Sequence, residues 1–166
     1  MTKDTLTGAL NRNALRIVFD SQNELSLPTS NPFVLAVCDL DRFKKINDTH
    51  GHVAGDKVLK SFVDVAKKYI RNSDVIIRYG GEEFVIILPA VNKENGLEVL
   101  EKICRSFEES TLEFEGKNLN ATVSIGMMEI KPEKAFKNSF IDEYIMIADQ
   151  KLYTAKHSGR NRVECS

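Results

Sequence analysis

The segment Val75-Ile-Ile-Arg-Tyr-Gly-Gly-Glu-Glu-Phe-Val-Ile-Ile-Leu88 decides the fold. Two runs rich in β-branched and aromatic residues, 75–79 and 84–88, flank Gly80-Gly81-Glu82-Glu83. Such side chains suit a pleated surface, and glycines tolerate the positive φ of a tight turn. The segment therefore predicts an antiparallel hairpin. Upstream, residues 33–39 form a continuous apolar run closed by Asp39, the pattern of a strand buried on both faces. Residues 55–70 place Val58, Leu59, Phe62, Val63, Ala66, Tyr69 and Ile70 at helical spacing. Downstream, residues 93–109 read as a helix with Leu97, Leu100, Ile103, Cys104 and Phe107 on one side. Residues 111–114 and 121–130 predict a second hairpin around Glu115-Gly116-Lys117-Asn118. Residues 11–25 and 142–157 read as helices, the latter ended by Gly159, and residues 162–164 as a short edge strand. The core order is βαββαβ. Hairpins demand antiparallel pairing, so the predicted class is α+β, a central antiparallel-containing sheet flanked by helices.

A chain of 166 residues suits one domain over residues 1–166. Lys and Arg number 23 against 24 Asp and Glu, a net charge of -1, which excludes a broadly basic nucleic-acid surface. The longest apolar runs, 33–38 and 84–88, are too short to cross a bilayer, and the N-terminus carries no apolar leader. Neither a nucleic acid nor a membrane contact is expected for this segment. Cys38, Cys104 and Cys165 are odd in number and lack a CxxC, which fits a reducing cytoplasm. No GxGxxG follows a strand, and the glycines from Gly51 to Lys57 are wrongly spaced for a phosphate-binding P-loop.

Several polar residues stand out against this frame. Asp39 closes a buried strand, where it is either a solvated strand end or a rigid ligand for Mg²⁺, which demands near-octahedral oxygen geometry. Asp41 reads as a cap for the next short helix. The glycines at 80 and 81 satisfy a two-residue turn, but adjacent Glu82 and Glu83 repel each other unless a cation compensates. Asp56 is either a first-turn helix acid or, with Asn47, a reader of a purine. A carboxylate accepts from the N1–H and exocyclic amine that guanine presents and adenine does not. Lys156 and Arg160, four residues apart at the end of the last helix, are expected to project on one side of it, where they complement the helix C-terminus or clamp a polyphosphate. Arg71 and Asp74 read as a surface turn with a local ion pair.

Taken in order, the motifs resemble the GGDEF family, the catalytic domains of bacterial diguanylate cyclases. Asp4-Thr-Leu-Thr-Gly-Ala-Leu-Asn-Arg12 resembles D-x-L-T-G-L-x-N-R, and Asp39-Leu-Asp-Arg-Phe-Lys-Lys-Ile-Asn-Asp48 resembles D-x-D-x-F-K-x-I-N-D. Gly51-His52 with Gly55-Asp56, Arg78-Tyr-Gly-Gly-Glu-Glu-Phe84, Thr122-Val-Ser-Ile-Gly126 and the blocks from Ala148 to Arg162 complete the series. The resemblance covers essentially the whole chain. It implies a fold like the palm of polymerases and nucleotide cyclases, ferredoxin-like at its core.

The implied reaction condenses two GTP into cyclic di-GMP and two pyrophosphates. By the same resemblance, Asp39, the Leu40 carbonyl and Glu82 bind Mg²⁺, for which Mn²⁺ can substitute. Glu82 also serves as proton acceptor, and Glu83 lies beside the metals. Asn47, His52 and Asp56 line the GTP pocket. The Phe43 and Lys44 backbone, with the side chains of Lys44, Lys156 and Arg160, meets the phosphates. Arg71 and Asp74 match the family's RxxD product-inhibition site, with Arg105 as a candidate partner. Catalysis implies a homodimer, since the product is two-fold symmetric. The expected location is the cytoplasm, as a free domain or as the cytoplasmic part of a larger sensor. The alternative is a catalytically silent receptor for cyclic di-GMP.

Overall fold

Every residue of the strand β2, Phe33–Leu40, is buried, because neighbouring strands flank it and helices cover both its faces. The computed structural model describes residues 2–132 and 140–165. Along β2 the side chains alternate between two cores. Val34, Ala36, Cys38 and Leu40 face α3 (His52–Lys67) and α4 (Lys93–Glu109), whose buried residues include Phe62, Val63, Leu100 and Ile103. Phe33, Leu35 and Val37 face α1 (Leu15–Ser26) and α5 (Phe140–His157), through Leu15, Phe19, Ala148 and Leu152. The first core is tied by Phe62, whose ring centroid lies 5.0 Å from Phe84 and 5.2 Å from Phe107.

The hairpin is β3 (Val75–Arg78) and β4 (Glu83–Leu88), and β4 pairs antiparallel with β2. On the other side β2 pairs antiparallel with β7 (Val123–Ile130). Two short strands, β1 (Leu10–Asn11) and β8 (Arg162–Glu164), lie parallel along the outer edges, giving the order β1-β3-β4-β2-β7-β8. Within it, β3-β4-β2-β7 is the ferredoxin-like order of a βαββαβ unit. The helix α2 (Phe43–His50) joins β2 to α3.

Three expectations change. The segment β5 (Leu112–Phe114) pairs with β6 (Lys117–Leu119), not with residues 121–130, and forms a separate two-stranded sheet. Glu115 and Gly116 both take positive φ, 50° and 75°, so the turn is a two-residue one that sets Phe114 opposite Lys117. The first helix starts as a 3₁₀ turn at Arg12–Ala14, and β1 precedes it. A two-residue strand carries no period to read. In the main hairpin neither Gly80 nor Gly81 has positive φ. A Cβ at Gly80 would press most closely on the tip of the Glu83 side chain, which can swing aside, and the bend is held instead by the Tyr79 and Gly80 N–H groups, which donate to the Glu83 carbonyl at 2.8 and 3.1 Å.

The approach of α5 depends on Gly126, the β7 residue paired with Val37. A Cβ at Gly126 would collide with the Ala148 carbonyl and the Leu152 amide of α5. Rigid backbone cannot yield as a flexible side chain does. Gly126→Ala is therefore expected to lower stability by about 1–3 kcal/mol, the usual cost of overpacking. A chemical denaturation curve coincident with wild type would contradict that contact.

Candidate active site

The end of β2 gathers the acidic candidates. Asp39 is 6% exposed and sits directly across the strand pair from Glu83, so both side chains leave the sheet on the α5 side. Glu82 is the residue before β4, and its carbonyl accepts from the Leu40 N–H at 3.2 Å. From α5, the Lys156 ammonium reaches the Asp39 carboxylate at 2.8 Å.

Electrostatics record the crowding. Burial pushes the Asp39 carboxyl above its ordinary range, Asp41 and Asp149 add to the effect, and Lys156 offsets part of it. Burial likewise raises Glu82 and Glu83, with the Asp39 charge adding to each. Lys156 opposes both shifts, and Arg12 opposes that of Glu83. Carboxylates held this close carry a surplus of negative charge that a divalent cation relieves. The donors are carboxylate and carbonyl oxygens, the hard set that suits Mg²⁺ or Mn²⁺ rather than a thiolate-seeking metal. Among the described residues no group of three His, Cys, Asp or Glu side chains is arranged to hold a metal. Such a site would be completed by water and phosphate, as is usual for Mg²⁺.

Directly after β2 the chain turns through Arg42, at φ 53°, into α2, and among the described residues no side chain caps that helix. The first-turn amides of Phe43 and Lys44 therefore sit at an uncapped positive helix end, where an anion is stabilised. Asp41 does not fill that role. It is buried and accepts from the hydroxyls of Thr122 and Ser124, each at 2.7 Å.

At the far end of α2, the Asn47 side chain lies against Gly55, where any Cβ would strike its Oδ1. That oxygen is buried and has no hydrogen-bond partner among the described residues. It is an acceptor in want of a donor, next to the residue that precedes Asp56. Because α3 begins at His52, Asp56 lies in the second helical turn, not the first, and the plain dipole explanation does not reach it. His52 opens α3 and is exposed.

The expectation that Lys156 and Arg160 project together from one helix is corrected. The helix α5 ends at His157, and Arg160 sits beyond it with φ 63°. The structure also adds residues that the sequence reading did not single out. Asp149 of α5 influences both Asp39 and Glu83. Arg12 lies over the Tyr79 ring at 4.3 Å, beside the turn. The i, i+7 spacing of Asp149 and Lys156 signals that they share a helix face.

Arg71 and Asp74 lie at the opposite end of the β3–β4 hairpin. Arg71 Nη2 donates to Asp74 at 2.7 Å and to the Pro89 carbonyl at 2.6 Å. The Asp74 side chain is 3% exposed, so the pair is anchored and is not a loose surface contact. Both residues line an open cavity of about 460 Å³ with Lys3 and Lys67. Arg105 lines a different depression, with Glu101, Glu108 and Arg162.

Residues 1–162 match the family described as "Diguanylate cyclase, GGDEF domain". The chain is 40% identical over 161 residues to the diguanylate cyclase DgcP of Pseudomonas aeruginosa, covering 97% of this chain and 23% of that protein. It is 35% identical over 162 residues to the diguanylate cyclase DosC of Escherichia coli, covering 97% of this chain and 34% of that protein. The chain thus spans about a quarter to a third of the length of these curated relatives. Among solved structures, the GGDEF domain of DgcB from Caulobacter crescentus, in complex with c-di-GMP, superposes with a TM-score of 0.89 at 33% identity, over 99% of this chain and 92% of that one. The diguanylate cyclase SiaD of Pseudomonas aeruginosa, in complex with its activator SiaC, gives 0.90 at 32% identity, over 99% and 61%.

The acidic turn is held from behind by Arg78, which donates to the Gly81 carbonyl at 2.9 Å and pairs with Asp4 at 3.3 Å. Burial by itself would raise the Asp4 carboxyl, but hydrogen bonds from Thr7 and the Arg78 charge hold it below the usual 3.8. A carboxyl lowered on folding stabilises the fold above its unfolded pKa and loses that effect as pH falls through the folded one. Asp4→Asn should cost about 1–2 kcal/mol at neutral pH, and the gap to wild type should close as pH drops below 3.8. Parallel urea titrations at neutral and acid pH check this; a gap that stays constant contradicts it.

Proposed function

Since the chain belongs to the GGDEF domain family of diguanylate cyclases, we propose that it condenses two GTP into cyclic di-GMP with release of two pyrophosphates. The observation that carries this reading is the crowding of Asp39, Glu82 and Glu83 at one end of the sheet, beside the uncapped start of α2. Asp39, the Leu40 carbonyl and Glu82 would hold Mg²⁺, or Mn²⁺ in its place. When bound, the metal supplies positive charge at the attacked phosphorus and lowers the pKa of the attacking hydroxyl.

The rest is done by this chain's own groups. The amides of Phe43 and Lys44 and the cations of Lys44, Lys156 and Arg160 orient the triphosphate. For that, Lys156 exchanges its Asp39 partner for a phosphate as the site fills. Asn47 Oδ1 and the Asp56 carboxylate accept from the guanine N1–H and amine, with His52 at the rim of the same pocket. Glu82 takes the proton of the 3′-hydroxyl as general base. A bond forms from that oxygen to the α-phosphorus of the other GTP, and the α–β phosphoanhydride breaks with pyrophosphate leaving. The sequence repeats in the opposite sense, so two copies each present one GTP in an isologous homodimer.

We further propose that cyclic di-GMP binds at Arg71 and Asp74 and slows turnover. The hairpin links this site to the acidic turn across one strand, about 20 Å at strand rise. No described helix is long and apolar enough to cross a membrane, and we place the reaction in the cytoplasm, where its substrate is found.

Incubation with GTP and Mg²⁺ at high protein concentration, with products read by mass, tests the assignment. Glu82→Ala should lose at least about 10²-fold in turnover while keeping wild-type stability. ATP should give no dinucleotide. Bound cyclic di-GMP without product from wild type would identify a receptor instead. Arg71→Ala should weaken calorimetric binding of cyclic di-GMP by about 10-fold or more, as loss of a charged hydrogen-bonding group does. Unchanged affinity would remove the inhibition site from the scheme.

A further inference from the structure

Gly159, Arg160 and Asn161 all have left-handed backbone, with φ of 117°, 63° and 46°. For the two residues with a Cβ this conformation is unfavourable, so the turn persists only if its surroundings impose it. One hold comes from α5, where the Arg160 N–H donates to the Ala155 carbonyl at 3.0 Å. The other comes from Asp41. Its Oδ2 accepts from the Asn161 backbone N–H at 3.1 Å and from the Thr122 hydroxyl at 2.7 Å. Its Oδ1 accepts from Ser124 at 2.7 Å, and its own N–H donates to the Thr122 carbonyl at 2.8 Å. The carboxylate is 5% exposed, and among the described residues no cation pairs with it. A buried carboxylate met only by neutral donors is held by geometry, and here that geometry joins the end of β2 to the start of β7 and the turn after α5.

We propose that Asp41 is a positioning residue: by gripping the Asn161 amide it fixes the left-handed turn that presents Arg160 to the substrate triphosphate. The inference rests on the cyclase reading of the site. A single short segment then serves both charges of the reaction, with Asp39 on the metal side and Asp41 acting through Arg160 on the phosphate side.

The two roles separate experimentally. Affinity for a non-hydrolysable GTP analogue with Mg²⁺ is measured for wild type, Asp41→Ala, Asp41→Asn, Arg160→Ala and the Asp41→Ala/Arg160→Ala double variant. Arg160→Ala should weaken binding by about 10-fold, the effect of one charged hydrogen-bonding group, and Asp41→Ala by a similar factor. The double variant should bind within about 2-fold of Arg160→Ala, because Asp41 acts through that residue. Asp41→Asn should bind nearly as wild type, since its carbonyl can serve Asn161 and Thr122 while its amide donates to the Ser124 oxygen. Losses that multiply in the double variant, or wild-type binding by folded Asp41→Ala, overturn the inference alone. Unchanged binding by Arg160→Ala overturns the site assignment and the inference with it. Amide exchange in wild-type protein needs no variant: the Asn161 N–H should be protected, and exchange at the unprotected rate overturns the grip of Asp41.

Discussion

The structure turns on a pair of like charges set side by side. Asp39 closes a fully buried strand and faces Glu83 directly across the β2–β4 ladder. Carboxylates in that relation oppose folding unless a cation offsets their charge. The Lys156 ammonium, delivered by α5, supplies that charge: it pairs with Asp39 at 2.8 Å and also counters the charge of Glu83. The delivery depends on Gly126, because only a residue without Cβ lets the helix backbone settle onto β7. The acidic end of the sheet, the last helix and one glycine thus form a single mechanical unit.

The fold was legible where the signal had a period. The apolar run ending at Asp39 marked the buried central strand, the Val75 to Leu88 segment marked the hairpin, and the spacing of Leu100, Ile103 and Phe107 marked α4 at its observed bounds. What escaped was governed by single dihedral angles or by contacts between distant residues. The partner of β5 depended on positive φ at both Glu115 and Gly116, which moved the pairing from residues 121–130 to Lys117–Leu119.

The site divides in the same way. Asp39, Glu82, Asn47 and Lys156 were visible as residue types in an ordered series of motifs. The true employment of Asp41 was not, because its donors lie at Thr122, Ser124 and Asn161, far along the chain. The glycines at 80 and 81 were correctly placed in a turn but for the wrong reason. Neither takes positive φ, and the bend is set by the Tyr79 and Gly80 amides donating to the Glu83 carbonyl.

The outer borders of the sheet have a consequence for association. β1 is two residues long and β8 three, and each runs parallel to its neighbour. Such stubs offer too few free backbone groups for another chain to extend the ladder. The domain is thereby denied the easiest route to permanent aggregation. Contact with any other chain is left to side-chain surfaces, where complementarity is set residue by residue.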